Sequence, residues 1–194
     1  MHRTLRRGVL ATGGTLMAAA LSRKFLLGGA DAQPEPPGPT IHGLDTVASH
    51  PPRPVPPLSF IDADGRALAL NEIRGTSGGG VLLNLWATWC VPCVAEMPAL
   101  DALSRALAPS HVKVVTVSLD HGGADQVRTF YAAHRIRSLP VLLDPHSASL
   151  SALGLDGIPT TLLINAAGQE VARVSGAVDW AAPQAAALVA RLVA

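Results

Sequence analysis

The stretch Trp86–Cys93, WATWCVPC, holds both cysteines of a 194-residue chain, two residues apart. A bridge between them closes so small a loop that it would hardly constrain the unfolded chain, because that stabilisation grows with loop length. A structural zinc site as a rule takes four ligands, and the seven histidines do not recur at a ligand spacing near the motif. Redox exchange is the use that remains. The run GVLLNLWA before the motif reads as a buried strand. After it, Met97, Leu100, Leu103 and Leu107 recur at helical spacing. Cys90 therefore stands where a strand hands over to a helix, and unpaired amides and the helix dipole favour negative charge there. A Cys-x-x-Cys thiol in such a place is acidified, and its thiolate can attack a disulfide to form a mixed disulfide. Cys90 is the expected nucleophile. Cys93, one helical turn on, is the expected resolving thiol. Pro92 suits an early helical position, where its missing amide donor costs nothing.

Outward from the motif, strands alternate with helices. LSFIDADGRALAL, residues 58–70, reads as a hairpin about Asp64-Gly65. VKVVTVSLD (112–120) is a second buried strand, ADQVRTFYAAHRI (124–136) a helix, PVLLD (140–144) a short strand and SASLSALGL (147–155) a short helix ending at Gly154. TTLLINAAGQEVARVSG (160–176) reads as two strands about Ala167-Gly168, and DWAAPQAAALVARLVA (179–194) as a closing helix begun by Trp180. Pro98 is expected to kink the helix that follows the motif. This order implies an α/β fold: a mainly parallel, mixed central sheet flanked by helices, with an added N-terminal β-hairpin.

The net charge of +1 conceals an asymmetry. Arg3, Arg6, Arg7, Arg23 and Lys24 lie in the first 24 residues without an acid, whereas from Leu58 onward there are eleven acids and nine bases. That balance gives no clustered basic surface for nucleic acid. A charged start followed by the apolar run Gly8–Leu21 has the export-signal pattern, and Arg6-Arg7 resembles a twin-arginine signal. Residues 1–32 are thus expected to be an export signal or, if uncleaved, a membrane anchor. Residues 33–57 are proline-rich, ending HPPRPVPP, and read as an extended linker with a reach of roughly 75 Å. The folded domain is then expected over 58–194. A periplasmic or periplasm-facing monomer follows.

The signature NLWATWCVPCVAEMP resembles the active site of the thioredoxin superfamily, and most closely its TlpA/ResA/DsbE-like branch of exported thiol-disulfide oxidoreductases. DGRALALNEIRG, VVTVSLD, PVLLDP and GIPTTLLINAAGQEV fall in that family's order. The resemblance implies further residues. Pro159 matches the family's cis-proline facing the dithiol, exposing the Ile158 backbone to an extended client segment by strand addition; Pro140 is the competing position. Trp89 and Pro92 would flank the client, while Trp86 is read as core. Glu96 matches an acid near the active site that could relay the proton of Cys93; a solvated helix carboxylate is the other reading. Asn84 stands where thioredoxin has a buried aspartate, either removing that proton route or serving as a buried amide bonded to backbone.

The implied function is reduction of client disulfides, in cytochrome c maturation or respiratory copper-site assembly, with no cofactor besides a redox-active Cys90–Cys93 disulfide. A membrane thiol protein would supply electrons. Because soft thiolates also suit Cu(I), a copper-carrying metallochaperone is the competing function. A peroxide-reducing enzyme of the same fold ranks last, as it would need its cysteine in a different local setting.

Overall fold

A computed structural model describes residues 40–74 and 79–194. The expected signal or anchor over 1–32 lies outside the described residues. In chain order the elements are β1 (Ile41–His42), β2 (Ala48–Pro54), β3 (Ser59–Asp62), β4 (Ala67–Ala69), α1 (Leu70–Arg74), β5 (Val81–Trp86), α2 (Val91–Leu107), β6 (Lys113–Ser118), α3 (Gly123–His134), β7 (Leu142–Leu143), α4 (Ala148–Leu153), β8 (Thr160–Ile164), β9 (Gln169–Ser175), β10 (Ala177–Val178) and α5 (Ala185–Val193).

Eight strands form one sheet in the order β2-β9-β8-β5-β6-β7-β3-β4. At its centre β5, β6 and β7 run parallel, while β8 pairs antiparallel with β5 and β9 antiparallel with β8. Every residue of β5 is buried, which explains why its run is apolar apart from Asn84: both faces are covered. One face carries Leu82, Met97, Leu100, Val127 and Val189, joining the sheet to α2, α3 and α5. The other carries Leu83, Leu85, Val115 and Leu162 under α1 and α4. The hairpin expected over 58–70 is β3–β4, with Ser59 opposite Ala69. The earlier strand β1 belongs to no hairpin and pairs in parallel with β10. The second expected hairpin is β8–β9, whose tight turn uses Gly168 at φ 81°, a left-handed conformation that favours glycine. Helix α2 continues through Pro98 as one element.

Three expectations give way. The sheet is mixed but not mainly parallel: only β5–β6 and β6–β7 pair in parallel, and the two hairpins and the edge strand β2 make the other five neighbouring pairs antiparallel. The proline-rich segment is not an open spacer throughout, because residues 48–54 form the strand at one sheet edge, antiparallel to β9. Proline is tolerated there because one side of an edge strand needs no ladder donors. The register shifts between Ser49 and Arg53, passing over Pro51 and Pro52. Nor does Trp180 begin the last helix, which starts at Ala185. Pro183 disfavours helical geometry at Ala182, so the chain turns first and Trp180 is buried beneath it.

Candidate active site

After β5 the chain makes a tight turn in which the Cys90 amide donates to the Ala87 carbonyl at 3.2 Å. Cys90 then caps α2 from an extended backbone, and its Sγ accepts the Cys93 amide at 3.4 Å. Pro92 sits in the first helical turn. Cys90 and Cys93 are joined by a disulfide, with their Cα atoms 5.2 Å apart. Cys90 keeps 7% exposure, whereas Cys93 is sealed. An approaching group thus meets Cys90 first. The Cys93 amide on its sulfur is one of the donors a helix start leaves without an intrahelical partner, and it would stabilise a thiolate there.

Trp89 and Val91 flank Cys90 as apolar side chains, each 65% exposed. Trp89 is the residue the resemblance implied beside the dithiol, and its side chain is open to solvent there. Val91 is an addition, and nothing in its identity marked it, since an apolar residue between the cysteines reads equally well as core. Trp86 belongs to the core, with its ring centroid 5.0 Å from that of Phe130 and 5.9 Å from that of Tyr131. Histidines 111, 121, 134 and 146 are exposed, as expected.

Glu96 lies on the next turn of α2 and is not a solvated helix carboxylate: it is 2% exposed. Its Oε1 accepts the Asn84 amide at 2.7 Å and its Oε2 accepts the Val178 backbone N–H at 3.0 Å. Burial dominates and pushes its pKa up to about 7, while the bonds from Val178 and Asn84 oppose that rise. The Trp180 indole N–H acts on the same carboxyl, though it falls short of hydrogen-bond geometry. Asn84 is indeed buried, but it bonds side chains, Glu96 and Thr161, rather than backbone. A carboxyl that titrates near neutrality can take up and release a proton at working pH.

The peptide bond Ile158–Pro159 is cis, and it is the only cis bond among the described residues. Thr160 pairs with Leu85, so Pro159 comes to the end of β5 from which the motif springs. Pro140 instead precedes β7, where its carbonyl accepts the Tyr131 hydroxyl. Among the described residues no other backbone group engages the Ile158 N–H or C=O. The fold therefore gathers Trp89, Cys90, Pro92, Cys93, Glu96, Ile158 and Pro159 at one end of β5 and β8. No third His, Cys, Asp or Glu joins the two sulfurs in a metal-sized cluster among the described residues.

A mixed sheet with a disulfide at the first turn of the helix after its central strand, and a cis-proline at the same sheet end, defines a thioredoxin-like protein. The chain belongs to the AhpC/TSA family, whose profile matches residues 51–172. It is 32% identical over 115 residues to the thiol-disulfide oxidoreductase ResA of Bacillus subtilis, a match covering 59% of this chain and 62% of that protein. It is 31% identical over 122 residues to the ResA protein of Geobacillus thermodenitrificans, covering 62% of this chain and 67% of that one. A thiol:disulfide interchange protein of the thioredoxin family from Chlorobium tepidum shares the fold, with a TM-score of 0.59 at 23% identity over 76% of this chain and all of that one (100%).

Proposed function

We propose that this chain is an exported thiol-disulfide oxidoreductase that reduces disulfides in client proteins. The observation that carries the reading is the division between the two sulfurs: Cys90 is reachable and capped by a helix amide, while Cys93 is sealed one turn behind it. In the reduced protein the Cys90 thiolate attacks a client disulfide. A Cys90–client bond forms, the client bond breaks, and the departing client sulfur takes a proton. Cys93 then gives up its proton, with Glu96 as the acceptor or relay, and attacks the Cys90 sulfur. The Cys90–Cys93 bond forms, the second client thiol leaves, and the client has gained two electrons and two protons. A membrane thiol protein returns those electrons to the chain.

Trp89, Val91 and Pro92 would border the client on one side. Ile158, with its free backbone groups beside cis-Pro159, would pair with an extended client segment on the other. Clients of the expected kinds are the haem-attachment cysteines of apocytochrome c or the copper-site cysteines of a respiratory oxidase. Residues 1–32 would direct export or hold the chain, as a monomer, to the periplasmic face of a membrane. No helix among the described residues is itself long and apolar enough to cross one.

The test is Cys93→Ser, which leaves the attacking sulfur and removes the resolving one. Incubated with periplasmic extract, this variant should accumulate mixed disulfides that reductant releases, and Cys90→Ser should accumulate none. Failure of Cys93→Ser to trap any client would overturn the reading.

A further inference from the structure

Beyond the end of β6 the pairing with β5 continues, as the Leu119 amide donates to the Trp86 carbonyl at 2.9 Å. The next residue, Asp120, is thereby brought beside Thr88, two residues ahead of Cys90. Asp120 is fully buried. Its Oδ2 accepts the Thr88 backbone N–H at 2.9 Å and the Ser118 hydroxyl at 2.7 Å. Its Oδ1 accepts the Thr88 hydroxyl at 2.7 Å and the Gln126 amide at 3.0 Å, and that amide also donates to Thr88 Oγ1 at 2.8 Å. No arginine or lysine touches this carboxyl among the described residues. One side chain therefore accepts both the backbone N–H and the hydroxyl of Thr88, at the centre of the turn that presents Trp89 and Cys90.

We infer that Asp120 is a positioning residue for the exchange reaction, holding the Ala87–Cys90 turn so that the Cys90 sulfur stays on the amide of Cys93. The disulfide itself ties Cys90 to α2 in the oxidised protein. Reduction removes that tie. The Val94 amide still donates to the Cys90 carbonyl at 3.0 Å, but ahead of Cys90 the turn keeps only its own bond from the Cys90 amide to Ala87 and the two bonds from Thr88 to Asp120. The restraint consequently matters most in the reduced, attacking state. Gln126 extends it to α3, and Gly122 leaves room for that side chain, since a Cβ there would lie 2.0 Å from Gln126 Oε1.

Geometry and charge can be separated. An asparagine oxygen in the place of Oδ2 keeps the Thr88 amide and the Ser118 hydroxyl. Its amino group in the place of Oδ1 meets the Thr88 hydroxyl, which can accept, and Gln126, which can turn its own oxygen inward. The inference rests on the oxidoreductase reading for its meaning, yet iodoacetamide trapping of Cys90 needs no client. In reduced protein carrying Cys93→Ser, Asp120→Ala should slow that alkylation at neutral pH about tenfold and move its pH profile upward. Asp120→Asn should stay within about twofold of the parent. With Cys93 restored, Asp120→Ala should shift the equilibrium constant with glutathione about tenfold away from the reduced form. Should Asp120→Ala fold poorly, Thr88→Val and Gly122→Ala, which loosen the same turn from its other side, should each slow alkylation about threefold. Equal effects of the alanine and asparagine variants, or unchanged profiles in every folded variant, would overturn the inference. A protein that shows the Asp120→Ala effect but reduces no client disulfide would instead sink the client reading alone.

Discussion

Glu96 and Glu170 each keep only 2% exposure, yet Glu96 is enclosed in the interior, Glu170 lies beside the edge strand, and their carboxyls are pushed in opposite directions. Around Glu96 the donors are neutral: an amide side chain and a backbone N–H. Burial wins and its pKa rises to about 7. Around Glu170, Arg173 donates twice at 2.8 Å, Arg53 once at 2.6 Å, and His50 lies at 3.1 Å. Burial again opposes the charge, but the hydrogen bonds of Arg173 and Arg53 and the Arg173 charge outweigh it and hold this carboxyl below its ordinary range. Glu96 is the more deeply enclosed of the two and has no cation beside it, so both differences push the same way: deeper burial raises one carboxyl, and the arginines lower the other. The paired glutamate clasps β2 to β9, since Arg53 and His50 lie on β2. The unpaired one lies one turn beyond the disulfide, where the proposed exchange would move a proton.

Two substitutions sharpen this contrast. Glu170→Ala removes the shared anion of two arginines that themselves reach water, so the cost is that of the lost charge-assisted hydrogen bonds from Arg173 and Arg53, about 3 kcal/mol. Urea unfolding should show that loss at neutral pH. The parent's advantage should vanish in acid, because a depressed carboxyl contributes stability above its unfolded value and loses it as pH falls through the folded one. Glu96 has the opposite sign. The folded protein keeps a proton that the unfolded chain releases, so this group's contribution is full below the ordinary value of 4.5 and is lost as pH rises to about 7. Glu96→Gln should remove that slope and leave the variant more stable than the parent above pH 7 by on the order of 2–3 kcal/mol. Asn84 can accommodate it, because its Oδ1 is buried without a partner and can accept from the new amide after a flip. The same variant should lose the inflection near neutrality in the pH–rate profile of exchange. A parent whose stability is flat between pH 4.5 and 7 would break the comparison.

The contrast also separates what the sequence discloses from what it hides. β5 and α2 are legible because burial on both faces leaves a run that is apolar but for Asn84, and burial on one face leaves a helical repeat. The dithiol is legible because two cysteines at that spacing have few other uses, and Pro159 is placed by the strand and turn that follow it. The environment of Glu96 is not legible. Its donors come from Asn84, 12 residues away, and Val178, 82 residues away, and only the sheet order brings them together. The edge strand β2 is hidden for a different reason. Its prolines rule out a central strand, and nothing local shows that Glu170, in an otherwise ordinary strand, is waiting for Arg53. Asp120 looked like the polar end of a strand, because its partner Thr88 sits in a turn whose shape no periodicity describes.

Arg53→Ala probes the paired site with the smallest expected effect. Arg53 is 52% exposed, so water and salt screen its charge. Glu170 would keep both bonds from Arg173 and would not be left as an isolated buried anion. The expected cost is therefore about 1 kcal/mol and should shrink as salt rises. Its effect should also be local. Amide exchange should quicken over residues 48–54, where β2 loses one of its two side-chain ties to β9, while α2 and β5 stay protected. Alkylation of Cys90 and its pH profile should match the parent, since the pair lies at the sheet edge and the dithiol at the end of the central strand. A shift in that profile would show that the edge clasp and the reactive turn are coupled, and the division between a holding glutamate and a titrating one would fail.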